Sequence, residues 1–215
     1  MKDKKQGMNL PNKLTVLRII LVPVFIVIMM LPQSVLDWKW SALIGAAIFT
    51  VASLTDMLDG KIARKYNLVT DFGKLMDPLA DKFMVIGALT AIVYRVTDVT
   101  DSKLLLTLFA IALLVVIFRE LAVTSLRLVA SSSSGVVVAA NMLGKIKTVT
   151  QIVCVVAALV EPVIYAIPAV AGALPTWMPQ YPPMTLTFCA LMIVFTVWSG
   201  INYFIGMWKY LDPQK

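Results

Sequence analysis

Long apolar runs alternate along this chain with short polar breaks. Stretches of roughly 20 mostly apolar residues, the length a helix needs to cross a bilayer, fall at about 14–31, 39–61, 75–96, 103–130, 141–165 and 184–208. The pattern predicts an all-α membrane protein with six transmembrane helices. So little chain lies between the runs that residues 1–215 read as a single integral-membrane domain.

The N-terminal stretch MKDKKQGMNLPNKLTVLRII is basic and then apolar, like a signal peptide, but no small-residue cleavage site follows before the chain turns at Leu31-Pro32. Residues 1–13 therefore read as a cytoplasmic, juxtamembrane amphipathic segment lying on the membrane surface.

Composition supports the membrane reading: 60% of the 215 residues are hydrophobic and 14% charged, with a mean hydropathy of +0.86, far from the soluble mix. Cys154 and Cys189 lie inside apolar runs, so neither a disulfide framework nor a thiolate metal site is expected. The chain has no histidine, which excludes imidazole-based zinc sites and Ser/His/Asp catalysis. Its net charge of +7 comes from cations placed between apolar segments, without interleaved aromatics. That arrangement argues against nucleic acid and for the membrane surface and anionic substrates.

Under the six-span reading every Lys and Arg except Lys39, Arg95 and Lys103 falls on one side. Short cation-rich loops stay in the cytoplasm, so both termini are expected there. The stretch Glu161–Met184 carries no cation and is rich in Pro, Trp and Tyr, as an outer-face loop or re-entrant segment would be. Ser131–Gly135 reads as a flexible cytoplasmic linker, with a mobile lid as the competing reading.

The apolar pattern is broken most sharply at residues 56–81, DMLDGKIARKYNLVTDFGKLMDPLAD. On one helix Asp56, Asp59, Gly60, Ala63 and Arg64 stand at i, i+3, i+4, i+7 and i+8, a single face. On the next, Gly73, Asp77 and Asp81 stand at i, i+4 and i+8. The turn between is short, so Asp56, Asp59, Asp77 and Asp81 are expected to face one another across an antiparallel helix pair. Four unpaired carboxylates would repel and take up protons, and one or two divalent cations remove the conflict. With hard oxygen donors only, Mg²⁺ or Mn²⁺ is favoured over zinc, and such ions suit phosphoryl transfer. A single intramembrane Asp is commonly a helix contact, a proton relay or a transport site. Four on facing stripes, with small residues beside them, weaken that alternative. Gly60 and Ala63 leave two readings open, room for a ligand or close helix approach. Asp71, off the stripe, reads as solvated or as a cap of the third helix.

The string D56-x-x-D59-G60-x-x-A63-R64, eight residues, then G73-x-x-x-D77-x-x-x-D81 resembles the signature of the CDP-alcohol phosphatidyltransferases, with every fixed position and the gap intact. The resemblance implies a six-helix membrane enzyme that displaces CMP from a CDP-linked donor, usually CDP-diacylglycerol, with an alcohol. It implies that Asp56, Asp59 and Asp77 bind metal, that Asp81 completes the second metal site and acts as base on the acceptor hydroxyl, and that Gly60, Ala63 and Arg64 receive the CDP moiety. A homodimer is implied as well.

A second cationic set, Arg119 in VVIFRELAVTSLR with Lys145 and Lys147 in NMLGKIKTVTQ, reads either as a site for a second anion or as ordinary positive-inside topology. Here NLPNKLTVLRIILVP, FRE (Phe118–Glu120) and LGKIKTVTQ (Leu143–Gln151) resemble the bacterial phosphatidylglycerophosphate synthases within that family. The likeness implies sn-glycerol 3-phosphate as acceptor, its phosphate held by Arg119, Lys145, Lys147 and Thr148, and a place in the bacterial cell membrane with the active site on the cytoplasmic side. Asn12, Thr15 and Arg18 would border the cytoplasmic cavity, with Arg18 alternatively snorkelling to headgroups. The rival readings are an enzyme of the same family using inositol phosphate, serine or phosphatidylglycerol, and an ion-coupled transporter, against which stand the cytoplasmic position of the carboxylates and the lack of an internal repeat.

Overall fold

The computed structural model describes residues 9–66, 68, 70–99, 102–134 and 142–208. Its regular structure is helical throughout: α1 (Leu10–Met30), α2 (Trp38–Lys65), α3 (Asp71–Val99), α4 (Lys103–Ser134), α5 (Met142–Tyr165), the single turn α6 (Pro168–Ala171) and α7 (Pro183–Met207). Five of these, α1, α2, α4, α5 and α7, are long and apolar enough to cross a membrane. The third expected span is a helix of 29 residues, but Asp81 and Lys82 near one end and Arg95 and Asp98 near the other leave an apolar stretch shorter than a bilayer core.

Helix starts differ from the hydropathic boundaries because caps, not oiliness, set them. Asn9 accepts from the Asn12 N–H (3.0 Å) and a proline occupies the first turn, so α1 begins at Leu10 rather than 14. Residues 1–8 of the expected surface arm lie outside the described residues. At α3 the cap is Thr70, whose Oγ1 accepts from the Gly73 N–H at 3.1 Å. Asp71 sits in the first turn, solvated and paired with Lys74 at 2.9 Å. The expected linker is in part helix: Ser131–Ser134 continue α4, and Gly135 lies outside the described residues.

The chain divides into two compact units, residues 1–91 and 92–215. In the first, α1 packs along α2, with Phe25 against Phe49 (ring centroids 6.0 Å apart) and the Ser41 hydroxyl donating to the Ile28 carbonyl at 2.9 Å. A Cβ on Gly87 of α3 would stand 2.8 Å from Ile26 Cδ1 of α1. That proximity requires glycine or a shifted isoleucine. Lipid tails are as apolar as these side chains, so van der Waals fit, rather than removal of oil from water, holds the helices together.

In the second unit α7 packs on both α4 and α5. The segment between α5 and α7 is tied down by one carboxylate: Glu161, 3% exposed, accepts from the backbone N–H groups of Met184 (3.0 Å) and Thr185 (2.6 Å), the Thr185 hydroxyl (2.7 Å) and the Tyr165 hydroxyl (2.6 Å). Proline lies in the first turn of α7 without a side-chain cap of its own, so a residue of α5 performs the capping. Arg127 donates Nε–H to the Tyr203 hydroxyl (2.9 Å) and lies over its ring at 5.2 Å. Cys154 and Cys189 are buried free thiols.

Candidate active site

The aspartate stripes form as the spacing requires. Asp56 and Asp59 lie near the C-terminal end of α2, with Asp59 buried and Asp56 half-buried, and Asp77 and Asp81 lie half-buried in the first turns of α3. Asp56 is within electrostatic reach of Asp59, Asp77 and Asp81, and Asp59 of Asp77. Gly60 and Ala63 are half-buried on the α2 stripe. The Arg64 side chain lies outside the described set.

What the spacing did not reveal is the part played by α1. Asn12, Thr15 and Arg18 stand at i, i+3 and i+6, one face of the helix, and all three are buried. The Asn12 side-chain oxygen accepts from the Thr70 hydroxyl at 2.9 Å, and a Cβ on Gly73 would lie 3.3 Å from that same oxygen. The Thr15 hydroxyl donates to Asp77 Oδ1 at 2.6 Å, with the Pro11 carbonyl 3.1 Å away. Arg18 Nη1 lies 2.5 Å from Asp56 Oδ1, and Nη2 donates to Asp59 Oδ2. Of the two sequence readings of Arg18, snorkelling to headgroups is excluded: the side chain is buried, turns inward and pairs with Asp56 and Asp59.

Among the described residues no three acidic side chains converge at ligand distances around one point. The chemistry of the donor set nonetheless fits a hard divalent cation. It consists of carboxylate oxygens alone, and the pairing with Arg18 shows that two of the four already answer to a cation.

In the second unit, Arg119 Nη1 lies 2.9 Å from Glu120 Oε1, and Lys147 donates to the same oxygen. Glu120, which the reading of cations alone left without a part, thus fixes two of the expected phosphate-binding residues from α4 and α5. Lys147 is buried and Lys145 exposed, and the Thr148 hydroxyl turns back to the Gly144 carbonyl at 3.1 Å. A Cβ on Gly200 of α7 would lie 3.3 Å from Arg119 Cγ, so the glycine makes room for the arginine stem. Among the described residues, buried Arg119 Nε has no hydrogen-bond partner. That donor is available to an added acceptor, as a phosphate oxygen would be.

Comparison with known proteins gives this geometry a family. The chain is 42% identical over 217 residues, covering 96% of it and 99% of the relative, to a protein of Bacillus subtilis named CDP-diacylglycerol–glycerol-3-phosphate 3-phosphatidyltransferase. A Salmonella paratyphi A protein of the same name is 32% identical over 91% of this chain and 92% of its own length. One from Rickettsia typhi is 45% identical over 100 residues, 46% of this chain and 53% of its own. The family model for CDP-alcohol phosphatidyltransferases matches residues 8–208, which include the α1 stripe, all four aspartates and the Arg119–Glu120–Lys147 cluster. With the match running through nearly the whole chain, this multi-pass membrane protein belongs to the CDP-alcohol phosphatidyltransferase family.

Proposed function

We propose that this chain transfers the phosphatidyl group of CDP-diacylglycerol to sn-glycerol 3-phosphate, yielding phosphatidylglycerol phosphate and CMP. The observation that carries the reading is the full-length likeness to enzymes named for this reaction, in a chain whose two aspartate stripes keep every fixed position of the signature on α2 and α3.

In this reading Asp56, Asp59, Asp77 and Asp81 would hold two divalent cations, Mg²⁺ or Mn²⁺, which when bound neutralise the donor diphosphate and the departing CMP. Asp81 takes the proton of the acceptor hydroxyl as that oxygen attacks the donor phosphorus. Gly60 and Ala63 leave space beside α2 for the CDP moiety, with Arg64 as its charge partner. Arg119, Lys145, Lys147 and Thr148 hold the acceptor phosphate. Glu120 supports that role: a carboxylate shared by Arg119 and Lys147 keeps two flexible cations fixed, so less side-chain freedom is lost when the phosphate arrives.

The same reading makes α3 the sixth transmembrane helix and residues 1–215 a single domain. It places both termini and the active site on the cytoplasmic side of the bacterial cell membrane, which the cation distribution supports. Its partners are the membrane, the two substrates and a second copy of the chain. Crosslinking in native membranes tests the dimer, since lipid would equally cover the apolar outer faces of α4 and α7.

The test of function is metal-dependent CMP release by the purified protein from CDP-diacylglycerol, with glycerol 3-phosphate, inositol phosphate and serine supplied in parallel. Release with glycerol 3-phosphate alone is expected. Release with another acceptor alone would reassign the substrate, and release with none by folded protein would overturn the reading.

A further inference from the structure

Arg18 is the member of the aspartate cluster that the proposed chemistry leaves unused. It lies eight residues into a helix apolar enough to cross a membrane, yet its side chain is 0% exposed. A buried guanidinium is costly to desolvate and is retained only where partners answer its charge. Its partners are Asp56 Oδ1 and Asp59 Oδ2, one oxygen from each carboxylate. A carboxylate has two oxygens with about four acceptor positions between them, so this pairing leaves the second oxygen of each for another cation. A side chain without solvent exposure, on a helix packed along α2, also has no ready route outward. Binding of a second cation beside Arg18 is therefore the simpler arrangement than exchange with it.

We propose that Arg18 is a resident counter-ion. It holds Asp56 and Asp59 together while no metal is bound, and stays in place as a positioning residue when a divalent cation takes their remaining oxygens. The inference rests on the metal reading above and deepens it, because it says how the carboxylate pair stays folded before the metal arrives.

The experiment is thermal unfolding of the full-length purified protein in EDTA and in saturating Mn²⁺, for wild type, R18M, R18K, D59N and R18M/D59N. Free Mn²⁺ is followed by electron paramagnetic resonance in parallel. In EDTA, R18M is expected to melt several degrees below wild type, with R18K between them. Saturating Mn²⁺ should close at least half of the R18M deficit, since the ion then supplies the missing charge. D59N alone should lower the melting temperature, whereas added to R18M it should raise it, because without Arg18 the second carboxylate only repels. A sign reversal of this kind is not produced by lost packing.

An R18M deficit of the same size in EDTA and Mn²⁺ overturns the proposal, as does a D59N change that lowers stability equally in both backgrounds. Should R18M not fold, recovery of folded protein in R18M/D59N supports the proposal and failure of both overturns it. Wild-type protein that neither binds Mn²⁺ nor melts differently with it overturns the metal reading instead. The EDTA arm then still measures the ion pairs by themselves.

Discussion

The hydroxyl of Thr15 offers the sharpest test of how α1 supports the site. Thr15 is 1% exposed, and its single proton has two acceptors in range, Asp77 Oδ1 at 2.6 Å and the Pro11 carbonyl at 3.1 Å. The shorter distance is that of an O–H donating to a charged oxygen, which assigns the proton to Asp77. Thr15→Val keeps the shape and removes this bond. A hydrogen bond to a charged group contributes about 1.5–3 kcal/mol, and Asp77 is half-buried, so water replaces part of it and the lower half of that range applies. Residues that orient metal ligands typically contribute 10- to 100-fold in affinity or activity, which is about 1.4–2.7 kcal/mol, so the two routes agree. The assay is CMP release against Mn²⁺ concentration at saturating substrates. Half-saturation by Mn²⁺ is expected to rise about 10-fold or somewhat more, with kcat at saturating metal largely kept and Thr15→Ser close to wild type. A Thr15→Val enzyme with the wild-type Mn²⁺ dependence, or a Thr15→Ser enzyme as impaired as Thr15→Val, would refute the reasoning.

Three other outcomes are expected. Asp81→Asn, which keeps the volume but cannot take a proton, should abolish CMP release while the protein still folds; undiminished turnover would remove Asp81 from the base role. Lys147→Ala should raise KM for glycerol 3-phosphate far more than for CDP-diacylglycerol, and an equal effect on both would argue against a phosphate pocket; because Glu120 then loses a partner, a fall in melting temperature should accompany it, smaller in Lys147→Ala with Glu120→Gln. Glu161→Ala strands two backbone N–H groups and two hydroxyls around a buried position, at about 1–3 kcal/mol for each donor that water does not reach. A chain of this size shifts by roughly 2–4 °C per kcal/mol, so a fall of several degrees is expected, and a change within error would show that α7 needs no cap from α5.

How much of this was legible in the sequence depends on the range of the interactions involved. Helix positions could be read because apolar runs of bilayer length are local features, and the facing of Asp56, Asp59, Asp77 and Asp81 followed from spacing on two helices joined by a short turn. The ends of helices were missed where a single polar atom decides them, as with Asn9 and Thr70. Longer-range partners were missed for a different reason. Whether Arg18 points to headgroups or to Asp56 depends on the rotation of α1 about its axis, and spacing within α1 does not specify that. Glu161 opened a loop without cations and read as its edge, while its function is to hold an N-terminus more than twenty residues further on. Glu120 stands next to Arg119 in the sequence, but its shared role with Lys147 depends on a contact between side chains of α4 and α5, 27 residues apart.

The rotation of α1 can be understood from its two faces. Toward its N-terminal end the helix buries Asn12, Thr15 and Arg18 and exposes Leu10, Leu17 and Ile20, the reverse of a helix in a water-soluble protein. Lipid accepts the apolar face at no loss, whereas a polar group facing hydrocarbon without a partner costs several kcal/mol. The only low-energy rotation is then the one that points Asn12, Thr15 and Arg18 at groups able to answer them, and Thr70, Asp77, Asp56 and Asp59 are those groups. Farther along, the inward face turns apolar with Val22, Phe25 and Met29, so the packing there fixes the same rotation independently. Asp56, Asp59, Asp77 and Thr70 thus orient the first helix of the fold through the polar residues they answer, which ties the placement of α1 to the aspartate cluster.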